Sequence, residues 1–444
     1  MSQKPSNAFV PTMAGSTRFS MAGDDCSLHF ELEHLTPKQR DDHIANQNLT
    51  GMLQVALLFI QKPGDEVCLY DAFKQSPWTE ALGNYHRLFA AMGLNPAPLS
   101  QVQYHPKEEY YESVAHRHSH CESETLYMVS GSNLPLHQSN QWLAISQNLN
   151  SKVHFAAHAP PYGLPTPDTL HCKKSDLQSK TVTDFFQLHA PQLMLKTLGL
   201  AGARNVTVVD GVNTAEAYVT EYDENMDIIL QQRLHSHDYV EMTVDLCVSD
   251  NALEITNVRQ LLFADGLWVG NLMGSAVTLA EHHRTTLLQV GEYARAHGYS
   301  HEFGLNLGID YFVRRESSNS TLPELIITEI NARWTGGLFP AELVRRLDIK
   351  QLPVVAFIDM CPVDAFKDYQ TFVEDHLYQP QAPTDFSIAP MGFSPYPVQN
   401  NAEDCLFIWQ IVIGDFAAFQ QAIRDALAPG VMPTAMSIST EQHD

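Results

Sequence analysis

Apolar and polar residues alternate along the middle of the chain with the two-residue period of a β-strand. Over residues 240–248, Val240, Met242, Val244 and Leu246 would share one face of a strand, and Glu241, Thr243 and Asp245 the other. Short apolar runs predict further strands at 193–196, 206–209 and 228–231. Two more strands are predicted at 308–313 and 325–330, joined as a hairpin by the hydrophilic segment 314–323.

A helical period appears at 281–296, where Leu287, Val290, Tyr293 and Ala294 form an apolar stripe and Gly298 is a suitable stop. A second helix is predicted at 79–92. Near the C-terminus, a strand at 405–413 precedes a helix that begins at Asp415, whose buried face would be Phe416, Phe419, Ile423 and Leu427.

The N-terminal part of the chain predicts strands alternating with helices, which is typical of an open α/β layer. The apolar run 54–60 predicts a strand, a turn at 63–65 follows, and further strands are predicted at 67–70 and 126–129. The first 25 residues resemble a frayed tail. We therefore expect an α/β (α+β) protein with a tail at 1–25, an α/β domain at 26–147, a second domain at 148–350 and a C-terminal α/β portion at 351–444.

Composition narrows the classes of function. A net charge of -24 disfavours binding to nucleic acid or to an anionic membrane surface, and an apolar fraction of 44% excludes global disorder. The seven cysteines are scattered without a C-x-x-C pair, which favours a reducing compartment. The N-terminus has no apolar stretch of signal-peptide type. We expect a soluble cytoplasmic protein.

Candidate chemistry begins on the predicted hairpin. Asp310 lies on its first strand, and Glu329 and Asn331 lie two residues apart on its second, so these two share a face. Acids among apolar neighbours are costly to bury unpaired, and Mg²⁺ prefers such oxygen ligands. Arg333 continues the same face and could hold a carboxylate or a phosphoryl group. The alternative is a solvated strand face with a surface salt bridge.

Two weaker patterns lie upstream. Lys196 ends an apolar strand and is followed by a loop of small residues, Gly199 to Gly202, which would suit a flap over phosphates. Taken alone, a plain hairpin with a glycine turn explains it better. The strand at 228–234 could read an adenine edge, and Glu241 could accept hydrogen bonds from ribose hydroxyls; alone, this too is better explained as a strand with polar ends.

The order of these patterns resembles the ATP-grasp superfamily. Its members have a Lys on a strand, a small glycine-rich loop, a hinge strand followed by an acid, and then an acid and a Glu-x-Asn-x-Arg motif, here Glu329, Asn331 and Arg333. Lys152, followed by the turn at 162–167, matches the family's upstream Lys-bearing helix and turn. The resemblance covers about 148–345 and implies an ATP-grasp fold, preceded by an open α/β pre-ATP-grasp domain.

The resemblance also implies a site and a reaction. It implies ATP and Mg²⁺, with Mn²⁺ as the alternative ion, and a carboxylate activated as an acylphosphate before an amine attacks it. The roles implied are metal binding by Asp310, Glu329 and Asn331; phosphate binding by Lys152 and Lys196; closure by the loop containing Gly199, Ala201 and Gly202; nucleoside binding by Gln231, Gln232, Leu234 and Glu241; and support of the acylphosphate by Arg333.

Several alternatives stay open at this stage. The layout is most similar to peptide ligases of the pheganomycin type, so amino acids or short peptides are the expected substrates and a homodimer is a common assembly. An ATP-grasp kinase and a nucleotide-binding module without turnover are the other readings. His116, His118 and His120 could bind a transition metal, although a solvated loop is favoured. Arg259 could bind a substrate carboxylate, although an ordinary surface arginine is favoured.

Overall fold

A computed structural model describes most of the chain. The described residues are 18–21, 37–61, 65–117, 122–125, 128–136, 141–189, 191–197, 206–264, 266–316, 318, 321–380, 384–400 and 403–439. Across these residues, no helix is both long enough and apolar enough to cross a membrane. The five cysteines among them, Cys68, Cys172, Cys247, Cys361 and Cys405, are free thiols.

The described residues form both helices and strands. The helices are α1 Pro37–Ile60, α2 Trp78–Ala91, α3 Tyr110–Arg117, α4 Gln141–Leu149, α5 Lys152–His158, α6 Lys180–Leu188, α7 Val212–Tyr218, α8 Glu281–Ala296, α9 Leu338–Arg346, α10 Phe366–Asp375, α11 Phe416–Ala426 and α12 Pro433–Ser437. The strands are β1 Arg18–Met21, β2 Glu66–Tyr70, β3 Val102–His105, β4 Glu122–Thr125, β5 Thr169–Lys173, β6 Leu193–Thr197, β7 Val206–Val209, β8 Asp227–Gln232, β9 Tyr239–Val248, β10 Leu253–Ala264, β11 Leu267–Gly274, β12 Leu305–Arg314, β13 Leu325–Asn331, β14 Pro353–Pro362, β15 Phe386–Phe393, β16 Val398–Asn400 and β17 Glu403–Gly414.

Three sheets organise the described residues. The N-terminal sheet has the order β3-β2-β1-β4 and is parallel throughout. A small antiparallel sheet has the order β5-β8-β6-β7. The large sheet has the order β13-β12-β9-β10-β11-β14-β17-β15, with β16 on β17. Strands from the C-terminal part of the chain thus continue the same sheet that contains β9, β12 and β13.

Helices α6 and α7 cover one face of the small sheet. Leu193 and Leu195 of β6 and Ile228 and Leu230 of β8 pack in one apolar cluster with residues of α6 and α7. Because side chains alternate along a strand, Met194, Lys196, Ile229 and Gln231 lie on the opposite face. Although helices α6 and α7 do not cover this opposite face, its Lys196 is only 9% exposed.

The predicted strand at 54–60 is wrong, because this run is the last part of α1. Residues 52–60 are all buried, against β15, β2 and neighbouring helices. A helix enclosed on every side has no polar face, so its sequence carries no 3.6-residue period and resembles a buried strand. The strand predicted at 67–70 is confirmed as β2.

Two other N-terminal predictions need correction. Arg18–Met21, within the segment predicted as a frayed tail, pairs in parallel with β2 and β4; the rest of residues 1–25 lies outside the described residues. The strand predicted at 126–129 falls earlier, at Glu122–Thr125, and Met128 and Val129 are not in a strand, whereas 126 and 127 are outside the described residues. Short segments bounded by loops give little periodicity to locate them.

Predictions in the remainder of the chain agree closely with the structure. Helix α8 spans the predicted 281–296, and Gly298 follows it with a φ of 84°. Asp415 caps α11, because its carboxylate accepts a hydrogen bond from the Ala418 N–H at 3.0 Å. The hairpin β12–β13 and the strands β6, β7, β8, β9 and β17 all lie where the apolar pattern places them.

Candidate active site

Strands β9, β12 and β13 bring the candidate acids onto one face of the large sheet. Asp310 lies opposite Glu329 on one side and opposite Thr243 on the other. Glu241 lies opposite Phe312, two residues beyond Asp310, so it belongs to the same face. An irregularity in the pairing after Asp310 leaves Thr328 without an opposite residue, and its hydroxyl donates to the Asp310 carbonyl at 3.1 Å.

A chain of hydrogen bonds joins Asp310, Asn331 and Arg333. The Asn331 Nδ2 donates to Asp310 Oδ2 at 3.0 Å, and the Arg333 guanidinium donates to Asn331 Oδ1 at 2.8 Å. Gly308 lies opposite Asn331, where an added Cβ would come within 2.5 Å of the Thr335 side chain. These hydrogen bonds and the close packing at Gly308 fix the positions of Asp310, Asn331 and Arg333, and Arg333 is the last residue of the hydrogen-bonded chain.

Lys152 reaches this face from helix α5. The Lys152 Nζ lies 3.0 Å from Glu329 Oε2. Two local features place it: the Ser151 side chain caps α5, and the turn after α5 docks on β13 through a 2.7 Å hydrogen bond from the Ile327 N–H to the Pro165 carbonyl. The segment that the sequence associates with phosphate binding thus contacts the strand that carries Glu329.

Lys196 approaches the same acids from the small sheet. Burial lowers the pKa of Lys196, while the negative charges of Glu329, Glu241 and Asp310 oppose that decrease and the charge of Lys152 adds to it. The two lysines and the three acids therefore form one electrostatic group, although they come from three different parts of the chain.

The carboxyl groups do not all ionise normally. Burial, then the charge of Asp310, raises the pKa of Glu241 to about 8. Asp310 and Glu329 form a coupled pair: burial and the charge of Glu329 raise the pKa of Asp310. Burial also acts against ionisation of Glu329, but Lys152 and Lys196 outweigh it and lower its pKa. Protonation of this pair therefore favours Asp310 over Glu329.

The strand before β9 distinguishes the two glutamines left open by the sequence. Gln231 lies on the same face of the small sheet as Lys196, and its Nε2 donates to Thr169 Oγ1 at 3.0 Å. Gln232 lies on the other face, with the residues that pack against α6 and α7. Leu234 follows the strand and is half-buried. Gln231 is therefore the glutamine directed toward the Lys196 side.

Some predicted residues cannot be placed. Gly199, Ala201 and Gly202 lie outside the described residues, as do His118 and His120 of the suggested transition-metal motif. His116 is exposed and belongs to helix α3, not to a strand as that motif requires. The roles proposed for the loop stay predictions.

A buried ion pair beside the site was missed. Arg259 is 1% exposed and donates to the carboxylate of Asp245, which is 0% exposed. The Arg259 guanidinium also donates to Asn257, and to Thr335 Oγ1 at 3.2 Å. The interpretation of Arg259 as a surface arginine is therefore wrong. In the antiparallel pairing of β9 with β10, Asp245 lies opposite Asn257 and Arg259 lies opposite Thr243, so the acid and the arginine are diagonal neighbours on one face. The pair was missed because the second strand was not predicted.

The donor set of the site fits a magnesium ion. Asp310, Glu329 and Asn331 offer carboxylate and amide oxygens on adjacent strands, which is the ligand type that Mg²⁺ takes from proteins. Burial, and then the negative charge of Glu329, raises the pKa of Asp310. A divalent cation bound here would favour the ionised form of this carboxyl group.

Comparison with known proteins supports the architecture. No protein-family model matches the chain, and no curated protein matches it. Among solved structures, the chain is similar to N5-carboxyaminoimidazole synthetase from Staphylococcus aureus complexed with ADP, with a TM-score of 0.55 and 8% identity over 94% of this chain and 99% of that one. It is also similar to phosphoribosylamine–glycine ligase from Thermotoga maritima, with a TM-score of 0.48 and 10% identity over 92% and 96% of the two chains.

Identity at this level bears on the fold alone. The similarity to the synthetase extends over 94% of this chain, so it is not confined to one of its three sheets. The chain has a mixed α/β ATP-grasp fold.

Proposed function

We propose that this chain is an ATP- and Mg²⁺-dependent carboxylate–amine ligase that releases ADP and phosphate. The observation that carries the proposal is the convergence of Asp310, Glu329 and Asn331 with Lys152 and Lys196 on one buried face. This set has more carboxyl groups than a structural ion pair and more lysines than a simple metal site. A metal ion would be held by the carboxylates, and a triphosphate by the lysines.

Each residue has a distinct task in the proposed reaction. Lys152 and Lys196 would neutralise phosphate oxygens, and Arg333 would hold the acylphosphate formed from the substrate carboxylate. Asp310, Glu329 and Asn331 would hold Mg²⁺, which when bound supplies charge neutralisation at the phosphates. Gln231 would contact the nucleoside from the small sheet, and Glu241 would lie near the ribose. Proximity and charge, without a protein nucleophile, would account for the rate.

The substrate class rests on the resemblance to peptide ligases of the pheganomycin type. Amino acids or short peptides are the proposed acid and amine. The Arg333 guanidinium, which donates to Asn331 Oδ1, is the cation that we propose for the substrate carboxylate. A homodimer is the proposed assembly, and Mn²⁺ is the proposed substitute ion.

The decisive experiment measures ADP and phosphate release from Mg²⁺-ATP in the presence of pooled amino acids and dipeptides, with mass spectrometry of the products. We expect Glu329→Gln to reduce release by at least about 100-fold, because it removes a charge that binds the metal. Glu302→Gln, an exposed carboxylate elsewhere, is the matched control and should retain activity. Circular dichroism should show that both variants fold.

Four outcomes contradict the proposal. AMP and pyrophosphate as products would indicate adenylation and a different site chemistry. A stable phosphorylated product that forms without an amine would indicate a kinase. Full activity of Glu329→Gln would show that the Glu329 carboxylate is not needed for the reaction. Tight ATP binding without turnover under every substrate pool would indicate a nucleotide-binding module.

A further inference from the structure

A second cluster of metal-ligating side chains lies at the far end of the β12–β13 hairpin. His282 and His283 belong to the first turn of α8, and Glu324 immediately precedes β13. The His282 Nε2 lies 2.5 Å from Glu324 Oε1, and the His283 Nε2 lies 3.4 Å from the same oxygen. The ligand atoms of all three residues lie within 4.8 Å of one another.

His283 is the informative member of this cluster. Its residue is 6% exposed, so it is more than nine-tenths buried. Within the described part of the chain, its Nε2 makes no well-aligned hydrogen bond, and the polar group that it faces is the Glu324 carboxylate, 3.4 Å away. A buried ring nitrogen with a poorly aligned neighbour recovers little of its desolvation cost. A bound cation would use this lone pair.

We propose that His282, His283 and Glu324 bind a divalent transition ion of the Zn²⁺ class. Two imidazole nitrogens and one carboxylate oxygen are the ligand types of zinc, cobalt and nickel, whereas Mg²⁺ and Ca²⁺ take oxygen ligands. Three protein ligands leave at least one position for water. The hydrogen bond between His282 and Glu324 opens to admit the ion, since ligands about 2.1 Å from a tetrahedral metal are spaced more widely than 2.5 Å.

The site is separate from the proposed ATP site. Glu324 and Glu329 are five residues apart on one extended segment, which corresponds to roughly 16 Å. The proposal therefore does not depend on the proposed ligase activity.

Its role is structural. Glu324 ends the hydrophilic segment between β12 and β13, and the two histidines begin α8, which packs on β9, β10 and β12. An ion bound to all three fastens the base of that hairpin to the helix. Binding to the folded chain alone stabilises it by mass action.

The test uses the full chain, stripped with a chelator and then titrated with Zn²⁺ against a chromogenic competitor. We expect one high-affinity ion per chain and an increase in Tm on addition of Zn²⁺. His282→Asn and Glu324→Gln should each weaken Zn²⁺ binding at least tenfold and abolish the increase in Tm. Both side chains are more than half exposed, at 61% and 55%, so neither substitution endangers folding. The absorption of bound Co²⁺ in the visible range should disappear in the same variants.

Matched controls separate this site from other histidines. His237→Asn and Glu316→Gln replace exposed residues outside the cluster and should leave Zn²⁺ affinity unchanged. His116→Asn tests the histidine-rich segment near α3. If His116→Asn removes Zn²⁺ binding while His282→Asn and Glu324→Gln bind normally, the proposal is wrong. The absence of stoichiometric Zn²⁺ or Co²⁺ binding by the unmodified chain would also overturn it.

Discussion

Two neighbouring groups of buried charges on the same face of the large sheet behave in opposite ways. In the first, Asp245 accepts from Arg259, and Asn306 donates to the same carboxylate at 3.0 Å. In the second, one step along the strands, Glu241, Asp310 and Glu329 face Lys152 and Lys196. The first group pairs one acid with one arginine and is fully enclosed, whereas the second contains three carboxyl groups and two lysines, and burial raises the pKa of Asp310 within it.

The difference indicates what each group is for. A matched buried pair is costly to break and gains nothing from a ligand. An unmatched group near several carboxylates has a raised pKa and becomes more favourable when a cation arrives, which is typical of binding sites. The sheet therefore contains a structural group and a candidate functional group side by side, and four measurements can separate them.

The largest effect on stability should come from Asp245→Ala. Removal of the carboxylate leaves Arg259 buried without its counter-charge, so we expect a loss of about 3–5 kcal/mol in the free energy of unfolding. Urea denaturation gives the value. The double variant Asp245→Leu with Arg259→Met, which removes both charges, should lose less than the single variant. An equal or greater loss in the double variant would show that the pair is not charge-matched.

Gly337 tests the enclosure of the same pair. A Cβ at this position would lie 2.6 Å from the Arg259 Nε and 2.9 Å from the Asn271 Nδ2. We expect Gly337→Ala to reduce the free energy of unfolding by about 1–3 kcal/mol through overpacking. Gly83→Ala is the control, because a Cβ there meets nothing within 4 Å on helix α2. That control should be stabilising by about 0.5–1 kcal/mol.

The pH dependence of stability tests the unmatched group. Glu241 keeps its proton up to a pKa of about 8 in the folded chain, whereas its ordinary pKa is 4.5. Between these values the unfolded chain binds fewer protons, so the free energy of unfolding of the metal-free protein falls as pH rises. We expect a fall of about 1–2 kcal/mol over this window, reduced by solvent that reaches the half-buried carboxyl group. Glu241→Gln should have a flatter profile, and an unchanged profile would contradict the assignment.

The smallest effect should come from Mg²⁺ itself. Binding requires Asp310 to lose its proton, so Mg²⁺ should raise the Tm more at pH 8 than at pH 6. At several times its Kd, we expect a gain of about 1 kcal/mol in the free energy of unfolding. Asp310→Asn should lose the difference between the two pH values. Asp245→Asn, if it folds, should keep it, since its carboxylate belongs to the matched pair.

The sequence predicted the middle of the chain well because the polar residues of the site alternate with apolar residues along one strand, and because hydrophilic residues separate the next two apolar runs. Alternation at 240–248 and the apolar runs at 308–313 and 325–330 located β9, β12 and β13, and these strands carry Asp310 and Glu329. The ATP-grasp fold expected from the order of the motifs is confirmed. The domain boundaries and the roles of the site residues stay predictions.

The failures have a common physical cause. Residues 52–60 are buried on all sides, so their pattern does not distinguish a helix from a strand. Arg259 lies on β10, where polar and apolar residues do not alternate cleanly, and a charged residue is exposed far more often than buried. Its counter-charge, Asp245, lies on the preceding strand β9, and that pairing could be inferred only once β10 had been predicted as a strand.

The placement of β14 has a consequence for dissecting the protein. It pairs with β11 from Gly270–Phe357 to Gly274–Pro353, and with β17 along Val354 to Pro362. A fragment ending at Lys350 would therefore expose the hydrogen-bonding edge of β11 and the apolar residues of α1 that pack against β15. The region that carries the site cannot be separated from the last hundred residues at a simple linker, and a stable minimal unit must include both.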